Sequence, residues 1–338
     1  MPTSGRLRTG KVPYDVLERC VLCHLGAESP RVLIGAALGE DAPIIEMGDR
    51  VIIAKVNPIT GAEKIVGGLA VHINANDVAT RGARPLWFQD VLLLPPGTTR
   101  ARLERIMKDM DAACRQLGVQ LIGGHTECVS GLERPVVVGF MIGEASRDRY
   151  VTTGGAKPGD KVIMTKTVGL EGTSIFATDL REKLSGFKRA TLIRAAKMSS
   201  QISVVPEALL AVEKGGVHAL HTPTEGGIIN GLWEMAKAAG IGLRVYEESI
   251  PVAPETAEIT RCLGVDPLKL LSSGALLMCV APECVNTILE ALSSIKVRAS
   301  VIGEARPKDE GLWIMRGRKQ RRIKPVTQDE LFRVLETC

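Results

Sequence analysis

Aromatic residues are scarce, 3% of the 338-residue chain, so the core must be aliphatic and the stacking platforms that hold single-stranded nucleic acid lack their usual material. Nucleic acid is not an expected partner. Long apolar runs are missing as well. No uninterrupted stretch approaches the roughly 18 residues needed to cross a bilayer, and the opening Met1-Pro-Thr-Ser-Gly-Arg6 has no apolar segment of the signal-peptide kind. The expectation is a soluble, cytoplasmic protein with no membrane partner. A Gly-x-Ser-x-Gly elbow for a serine nucleophile is absent. Excess charge is also modest: the formal net charge is +5, and the cations Arg316, Arg318, Lys319, Arg321, Arg322 and Lys324 concentrate in one segment that reads as a solvated or subunit-facing strand. The cysteines, at positions 20, 23, 114, 128, 262, 279, 284 and 338, are scattered without a secretory context, so reduced thiols are expected.

What is present organises into two domains. Residues 1–30 combine a Gly/Arg/Lys-rich arm with a helical pattern from Tyr14 to Leu25, in which Val16, Leu17, Val21 and Leu22 fall near helical spacing. Short β-rich runs follow at Val51–Val56, Leu86–Leu94 and Pro135–Gly143, interleaved with helical segments at about 63–81 and 99–117; Leu103, Ile106, Met107, Met110 and Leu117 share one stripe. This predicts an α+β domain over residues 31–150. The polar, Gly-rich passage Thr152–Asp160 reads as a linker turning into a strand. A second domain is expected over 151–305, with strands at Lys161–Thr165, Gly274–Ala281 and Val297–Gly303 and helices near 188–201, 205–215, 227–240 and 282–294. Residues 306–338 read as a basic, strand-like tail closed by a short amphipathic helix, Asp329–Glu336.

Four features carry chemistry. Gly5-Arg-Leu-Arg-Thr-Gly10-Lys11-Val12 spells a phosphate loop as far as its lysine, but Val12 stands where a hydroxyl would hold magnesium and no strand precedes the motif. A cationic arm in which Lys11 and Arg8 reach over a polyphosphate needs no such frame. Acidic residues lie in glycine-rich or turn-like strings: Gly39-Glu40-Asp41-Ala42, Asn76-Asp77-Val78, Gly123-Gly124-His125-Thr126-Glu127 and Thr222-Pro-Thr-Glu225-Gly-Gly227. Carboxylates from separate turns can converge on a magnesium nucleotide, although each one singly reads more simply as a turn former or helix cap. Cys20-Val-Leu-Cys23-His24 matches a haem attachment string, yet it sits inside an amphipathic helix pattern without an export signal, and no second Cys-x-x-Cys pair offers zinc its remaining ligands. Cys338 is the last residue, where a thiol can travel into an active site or can stand by chance.

Taken in order, these strings resemble the aminoimidazole ribonucleotide synthetase (AIR synthase) superfamily, which includes the hydrogenase maturation factor HypE, thiamine-monophosphate kinase and selenophosphate synthetase. The resemblance spans about residues 30–305. Gly39-Glu-Asp-Ala-Pro-Ile-Ile45 is similar to the family's Gly-Asp-Asp-Ala-Ala-Val-Ile segment, and Val71–Pro85 to its Asn-Asp-Leu-Ala-Met-Met-Gly-Ala-Arg-Pro helix. Gly123-Gly-His-Thr-Glu127 stands where the family has Gly-Gly-Asp-Thr or Gly-Gly-Glu-Thr. Lys157-Pro-Gly-Asp160, Gly169-Leu-Glu-Gly172 and Thr222–Gly227 resemble its second-domain turn, glycine-rich loop and Asp-x-Thr-x-Gly-Gly motif.

The resemblance implies a two-domain α+β fold of the AIR synthase type, a homodimer that pairs the first-domain sheets, and ATP with magnesium as cofactors. It implies metal binding by Asp41 and Asp77, nucleotide contacts from Gly123, Gly124 and Thr126, phosphate contact from Lys11, and a catalytic or water-orienting role for Glu127. One departure stands out: where the family places an Asp after its strand, this chain reads Lys55-Val-Asn57-Pro58, so Asn57 keeps an oxygen ligand and loses a negative charge. The implied activity is ATP-dependent phosphoryl transfer to an oxygen. In the HypE-like form, Cys338 carries a carbamoyl group delivered by a hydrogenase-maturation donor protein. The alternative is a degenerate, non-catalytic homodimer that senses nucleotide or scaffolds an assembly.

Overall fold

The computed structural model describes residue 7 and residues 9–336; Arg8 and Cys338 lie outside the described residues. The N-terminal helix α1, Tyr14–Cys20, is shorter than the pattern to Leu25 predicts. No residue of α1 is buried, and a helix this short depends on tertiary packing to persist. It ends where the N–H groups of both Val21 and Leu22 turn back to the carbonyl of Leu17.

The first domain is one sheet with helices on a single face. Strands β1 (Val32–Ile34), β2 (Ile44–Met47), β3 (Arg50–Ile59), β4 (Arg84–Leu94), β5 (Gln120–Cys128) and β6 (Val136–Ser146) are ordered β1-β2-β3-β6-β4-β5. Helices α2 (Val66–Ala79) and α3 (Arg100–Leu117) cover its inner face. Strand alternation sorts the side chains: Val51, Ile53 and Ile59 of β3 and Phe88, Leu92 and Leu94 of β4 point into the core. Helix α2 lies close against the sheet because Gly143 of β6 leaves space; an added Cβ there would meet Val78 at 2.4 Å. The strand β3 runs three residues beyond the expected end at Val56. Its partner β2 pairs only with residues 50–53, so residues 54–59 have a free edge, and Pro58 is tolerated there without a missing ladder bond on that side.

The second domain holds β7 (Lys161–Thr165), β8 (Val217–His221), β9 (Gly242–Tyr246), β10 (Leu277–Val280), β11 (Ala299–Arg306), β12 (Leu312–Arg316) and β13 (Lys319–Arg322), ordered β13-β12-β9-β11-β7-β10-β8. Around it run α4 (Leu170–Asp179), α5 (Arg189–Lys197), α6 (Val205–Lys214), α7 (Gly227–Ala239), α8 (Pro254–Leu263) and α9 (Val285–Ser294), with α10 (Glu330–Glu336) at the end. The basic segment is therefore part of this sheet: five of its six cations occupy the exposed β12–β13 hairpin, and Lys324 follows it. One buried apolar cluster is continuous from the first domain through α4, α5 and α6, and a second packs α7 on the other face of the second sheet. Asn76 of α2 fastens the two domains, donating to the carbonyl of Ile202 at 2.8 Å and accepting from the N–H of Val204 at 2.7 Å. Among the described residues, no helix is long and apolar enough to cross a membrane, and the described cysteines are unpaired.

Candidate functional site

A cleft of about 900 Å³ opens between the domains, lined by the Gly39–Asp41 segment, the end of β3, the turn after β8, the arm at residues 9–14 and helix α10. Its size suits a nucleotide-scale ligand. Asp41 and Asp77 both line it, on different elements: Asp41 comes from the turn before β2, Asp77 from the last turn of α2.

The wall behind them is a buried polar network built across the domain boundary. His221, at the end of β8, places Nδ1 2.8 Å from Asp41 Oδ1 and Nε2 2.9 Å from Glu234 Oε2. Burial alone would lower the histidine, but the two carboxylates hold it protonated, pushed up to about 10. Asp41 is correspondingly held below its ordinary value: burial opposes this, while His221, Arg81 and Lys55 impose it. Glu234 is driven well below the usual carboxylate range, against its burial, by Lys11 and His221. Lys11 reaches Glu234 Oε1 at 2.5 Å through its ammonium, and its backbone N–H donates to Glu225 at 2.7 Å. The Tyr14 hydroxyl donates to the same Glu234 oxygen at 2.7 Å. The arm is thereby anchored in the cleft by charge, with Lys11 on the wall.

Asp77 is equally committed. Its Oδ1 accepts from the Thr222 hydroxyl at 2.6 Å, and its Oδ2 accepts from Asn57 Nδ2 at 2.8 Å and lies 3.0 Å from the Lys55 ammonium. Asp41 Oδ2 accepts from the Thr80 hydroxyl at 3.0 Å and the Thr222 N–H at 3.3 Å, with the Arg81 guanidinium at 3.6 Å. Three of the four oxygens of the two expected metal ligands thus accept a protein hydrogen bond, and the fourth, Asp41 Oδ1, has the His221 ring nitrogen 2.8 Å away. Asn57 offers Asp77 its amide nitrogen, and the reversed amide would set oxygen against an acceptor-only carboxylate. Among the described residues, no group of three or more Asp, Glu, His or Cys is arranged to hold a metal ion. The resident magnesium expected on Asp41, Asp77 and Asn57 would need open oxygens in near-octahedral array, whereas the side-chain oxygens of Asp41 and Asp77 here face protein cations, hydroxyls and N–H groups.

The glycine-rich string lies elsewhere. Gly123, Gly124, Thr126 and Glu127 sit on β5, the outermost strand of the first sheet, and none lines the cleft of its own chain. Every residue of β5 is exposed, and Glu127 pairs loosely with His125 at 3.5 Å. Gly124 has a packing reason, since an added Cβ would stand 2.7 Å from the carbonyl of Asp90 on β4. The expectation that these four share a site with Asp41 is not met within one chain, because β5 is at the far edge of the sheet. Cys20 and Cys23 are exposed, and Cys23 donates to the carbonyl of Arg19.

Sequence reasoning missed Lys55, Arg81, His221 and Glu234. Two had a local signal: Lys55 alternates with Asn57 on one face of β3, and Arg81 follows Asp77 by one helical turn. The pairing of His221 with Glu234 joins a strand end to a helix and has no spacing signature.

Residues 39–145 match the family model for the AIR synthase related protein N-terminal domain, and residues 157–313 match that for its C-terminal domain. The chain belongs to the AIR synthase related family. Relatives within the family include a putative hydrogenase expression/formation protein of Methanocaldococcus jannaschii, 29% identical over 90% of this chain and 91% of that protein. A carbamoyl dehydratase HypE of Rhizobium leguminosarum bv. viciae is 33% identical over 73% of this chain and 70% of its own length. Among solved structures, the HypE–HypF complex superposes with a TM-score of 0.77 at 24% identity, covering 92% of this chain and 99% of that one. A HypE structure in complex with ATP covers 96% of this chain and 98% of its own, with a TM-score of 0.72 at 23% identity. These likenesses establish the family fold for both domains.

Proposed function

We propose that this chain is an ATP-dependent phosphoryl-transfer enzyme of the hydrogenase-maturation kind, acting on a carbamoyl group carried by its own Cys338. The observation that carries this reading is the position of α10: Phe332, Leu335 and Glu336 line the same cleft as Lys11, Asp41 and Asp77. Cys338 follows Glu336 by two residues, a span of at most about 7 Å of chain. Relatives named carbamoyl dehydratase and the ATP complex of a protein with the same fold support it.

The chemistry balances. A donor protein of the maturation machinery places a carbamoyl group on the Cys338 sulfur. The carbonyl oxygen attacks the γ-phosphorus of ATP, ADP leaves, and the nitrogen loses a proton. Loss of the phosphorylated oxygen as phosphate, with the second nitrogen proton, leaves a thiocyanate; the products are ADP, phosphate and the dehydrated thiol adduct. In this reading magnesium enters as the counter-ion of the nucleotide substrate, and the site's own residues orient and neutralise. Lys55 and Lys11 present positive charge toward the cleft, while His221 holds Asp41 and Glu234 in place and fixes the wall against which the phosphates lie.

A homodimer completes the proposal. Among the described residues no helix covers the outer face of the first sheet, and Val56, Trp87 and Val91 are exposed there beside half-buried Phe140 and Ile142. An uncovered apolar face of this kind fits pairing with a second copy. Gly123, Gly124, Thr126 and Glu127 keep a nucleotide role only in such a dimer, where β5 can face the partner's cleft. The whole cycle belongs in the cytoplasm, where ATP and reduced thiols are available.

The test uses purified full chain, a carbamoyl-donor maturation system and ATP, followed by mass spectrometry of the C-terminal peptide. A carbamoyl adduct on Cys338 that loses one water on addition of ATP is the expected result, and Cys338→Ala abolishes it. No adduct, or an adduct that persists with ATP, rejects the reading.

A further inference from the structure

The inner face of β3 changes character along its length. Val51 and Ile53 are buried apolar residues, whereas Lys55 and Asn57, next on the same face, point into the cleft. The Lys55 ammonium sits between the two acidic segments: it donates to the backbone carbonyl of Asp41 at 2.6 Å and lies 3.0 Å from Asp77 Oδ2. Its third N–H has no partner among the described residues, and the side chain remains 19% exposed, on the cleft side. Two carboxylates lie side by side here in a buried setting, and such a pair repels strongly unless a cation stands between them. Lys55 and Arg81 supply those cations from the protein itself.

We propose that Lys55 is the resident counter-ion of this cleft, a fixed ammonium in the position that a protein-held metal ion would otherwise fill, and that it meets the polyphosphate of a nucleotide directly. This rests on the reading of the cleft as a nucleotide site, and it deepens that reading by naming what neutralises the phosphates. Asn57 belongs to the same device. A carboxylate at that position would add a third negative charge and an open oxygen beside Asp77; the amide instead donates to Asp77 and leaves the Lys55 ammonium with charge to share with a ligand. A lysine ammonium has one charge where magnesium has two, but it is held in place by the fold before any ligand arrives, so nucleotide recognition no longer depends on free magnesium.

Two measurements on the full chain decide this independently. The first needs no nucleotide: Mn²⁺ is titrated into the protein and free ion is followed by electron paramagnetic resonance. The parent is expected to show no site tighter than millimolar, and the double variant Lys55→Met, Asn57→Asp is expected to gain one. A parent that binds one Mn²⁺ at micromolar concentration, lost on Asp77→Asn, overturns the proposal. The second is calorimetric titration of ATP in excess EDTA and in excess magnesium. The parent is expected to bind with dissociation constants within about threefold of each other, and Lys55→Met to lose at least tenfold in EDTA with its thermal melting still cooperative. Binding by the parent in magnesium alone, or unchanged binding by Lys55→Met, also overturns it. If ATP binds under neither condition, the nucleotide reading fails, while the Mn²⁺ titration still decides whether Lys55 excludes a metal.

Discussion

The Arg81 guanidinium lies 2.9 Å from the Glu40 carboxylate, and the arginine is fully buried. Glu40 in turn accepts from the N–H groups of Thr153 and Gly154 at 3.2 and 3.0 Å, and Arg81 donates to the Thr153 hydroxyl at 2.7 Å. One ion pair thus joins the end of α2, the cleft segment at residues 39–41 and the start of the second domain. A buried pair contributes modestly when intact, but removal of one partner strands a charge. Arg81→Ala is expected to cost about 3–5 kcal/mol in urea denaturation, and to loosen Asp41 with it. A loss under about 1 kcal/mol would mean that the domains are held together without this pair.

His221 sets a pH dependence. Its folded value, about 10, lies above the ordinary 6.5, so its contribution is fully present below pH 6.5 and is lost as pH rises toward 10. The melting temperature should therefore fall across that window, and His221→Gln should flatten the decline while lowering stability at pH 6 by roughly 2–4 kcal/mol through the uncompensated Asp41 and Glu234. A parent melting temperature constant from pH 6.5 to 9.5 would contradict the protonated histidine.

Glu171 has the opposite sign. It is buried at the start of α4 beside the cleft, and burial raises its carboxyl to about 8 from 4.5. The folded state holds a proton that the unfolded state releases above pH 4.5, so Glu171 costs stability increasingly between pH 4.5 and 8. Glu171→Gln is expected to stabilise the protein at pH 7 by on the order of 2 kcal/mol and to have little effect at pH 4.5. Equal effects at both pH values in chemical denaturation would show that the carboxyl is ionised in the fold.

The open face of the first sheet gives a prediction about assembly. Trp87→Glu places a charge in the middle of that face without touching the inner core, and the variant is expected to sediment as a monomer where the parent sediments as a dimer. Both species at monomer mass at micromolar concentration would reject the paired sheets.

Much of the site was legible in order but not in assembly. Asp41 and Asp77 stand out because each sits in a short acidic string that the family shares, and both reach the cleft. Lys11 reaches it too, although its ammonium rests on Glu234, a residue inside an apolar helix pattern that gave no reason to expect a cleft-facing carboxylate. Glu127 and its glycines look like a nucleotide loop in sequence, and the sheet order alone sets them on an outer strand. The strands β1, β2, β8, β9, β12 and β13 were missed or left as tail and linker because each is short and broken or bounded by polar residues or glycine, whereas β7 and β10, equally short, are near-continuous buried apolar runs. The nine-residue β5 was missed as well, since Gly123, Gly124 and the polar His125–Glu127 interrupt its apolar pattern.

The sequence by itself determined the family, the aliphatic character of both cores and the positions of the long amphipathic elements, because these depend on composition, periodicity and motif order, all local along the chain. Only the tertiary structure decided what faces Asp41 and Asp77. His221 comes from 180 residues beyond Asp41 and Lys55 from a strand that crosses beneath α2, and contacts of that separation leave no mark in local spacing. The physical reason is that charge is compensated through space: a buried carboxylate must find a cation, and the fold, not the neighbouring residues, determines which one arrives.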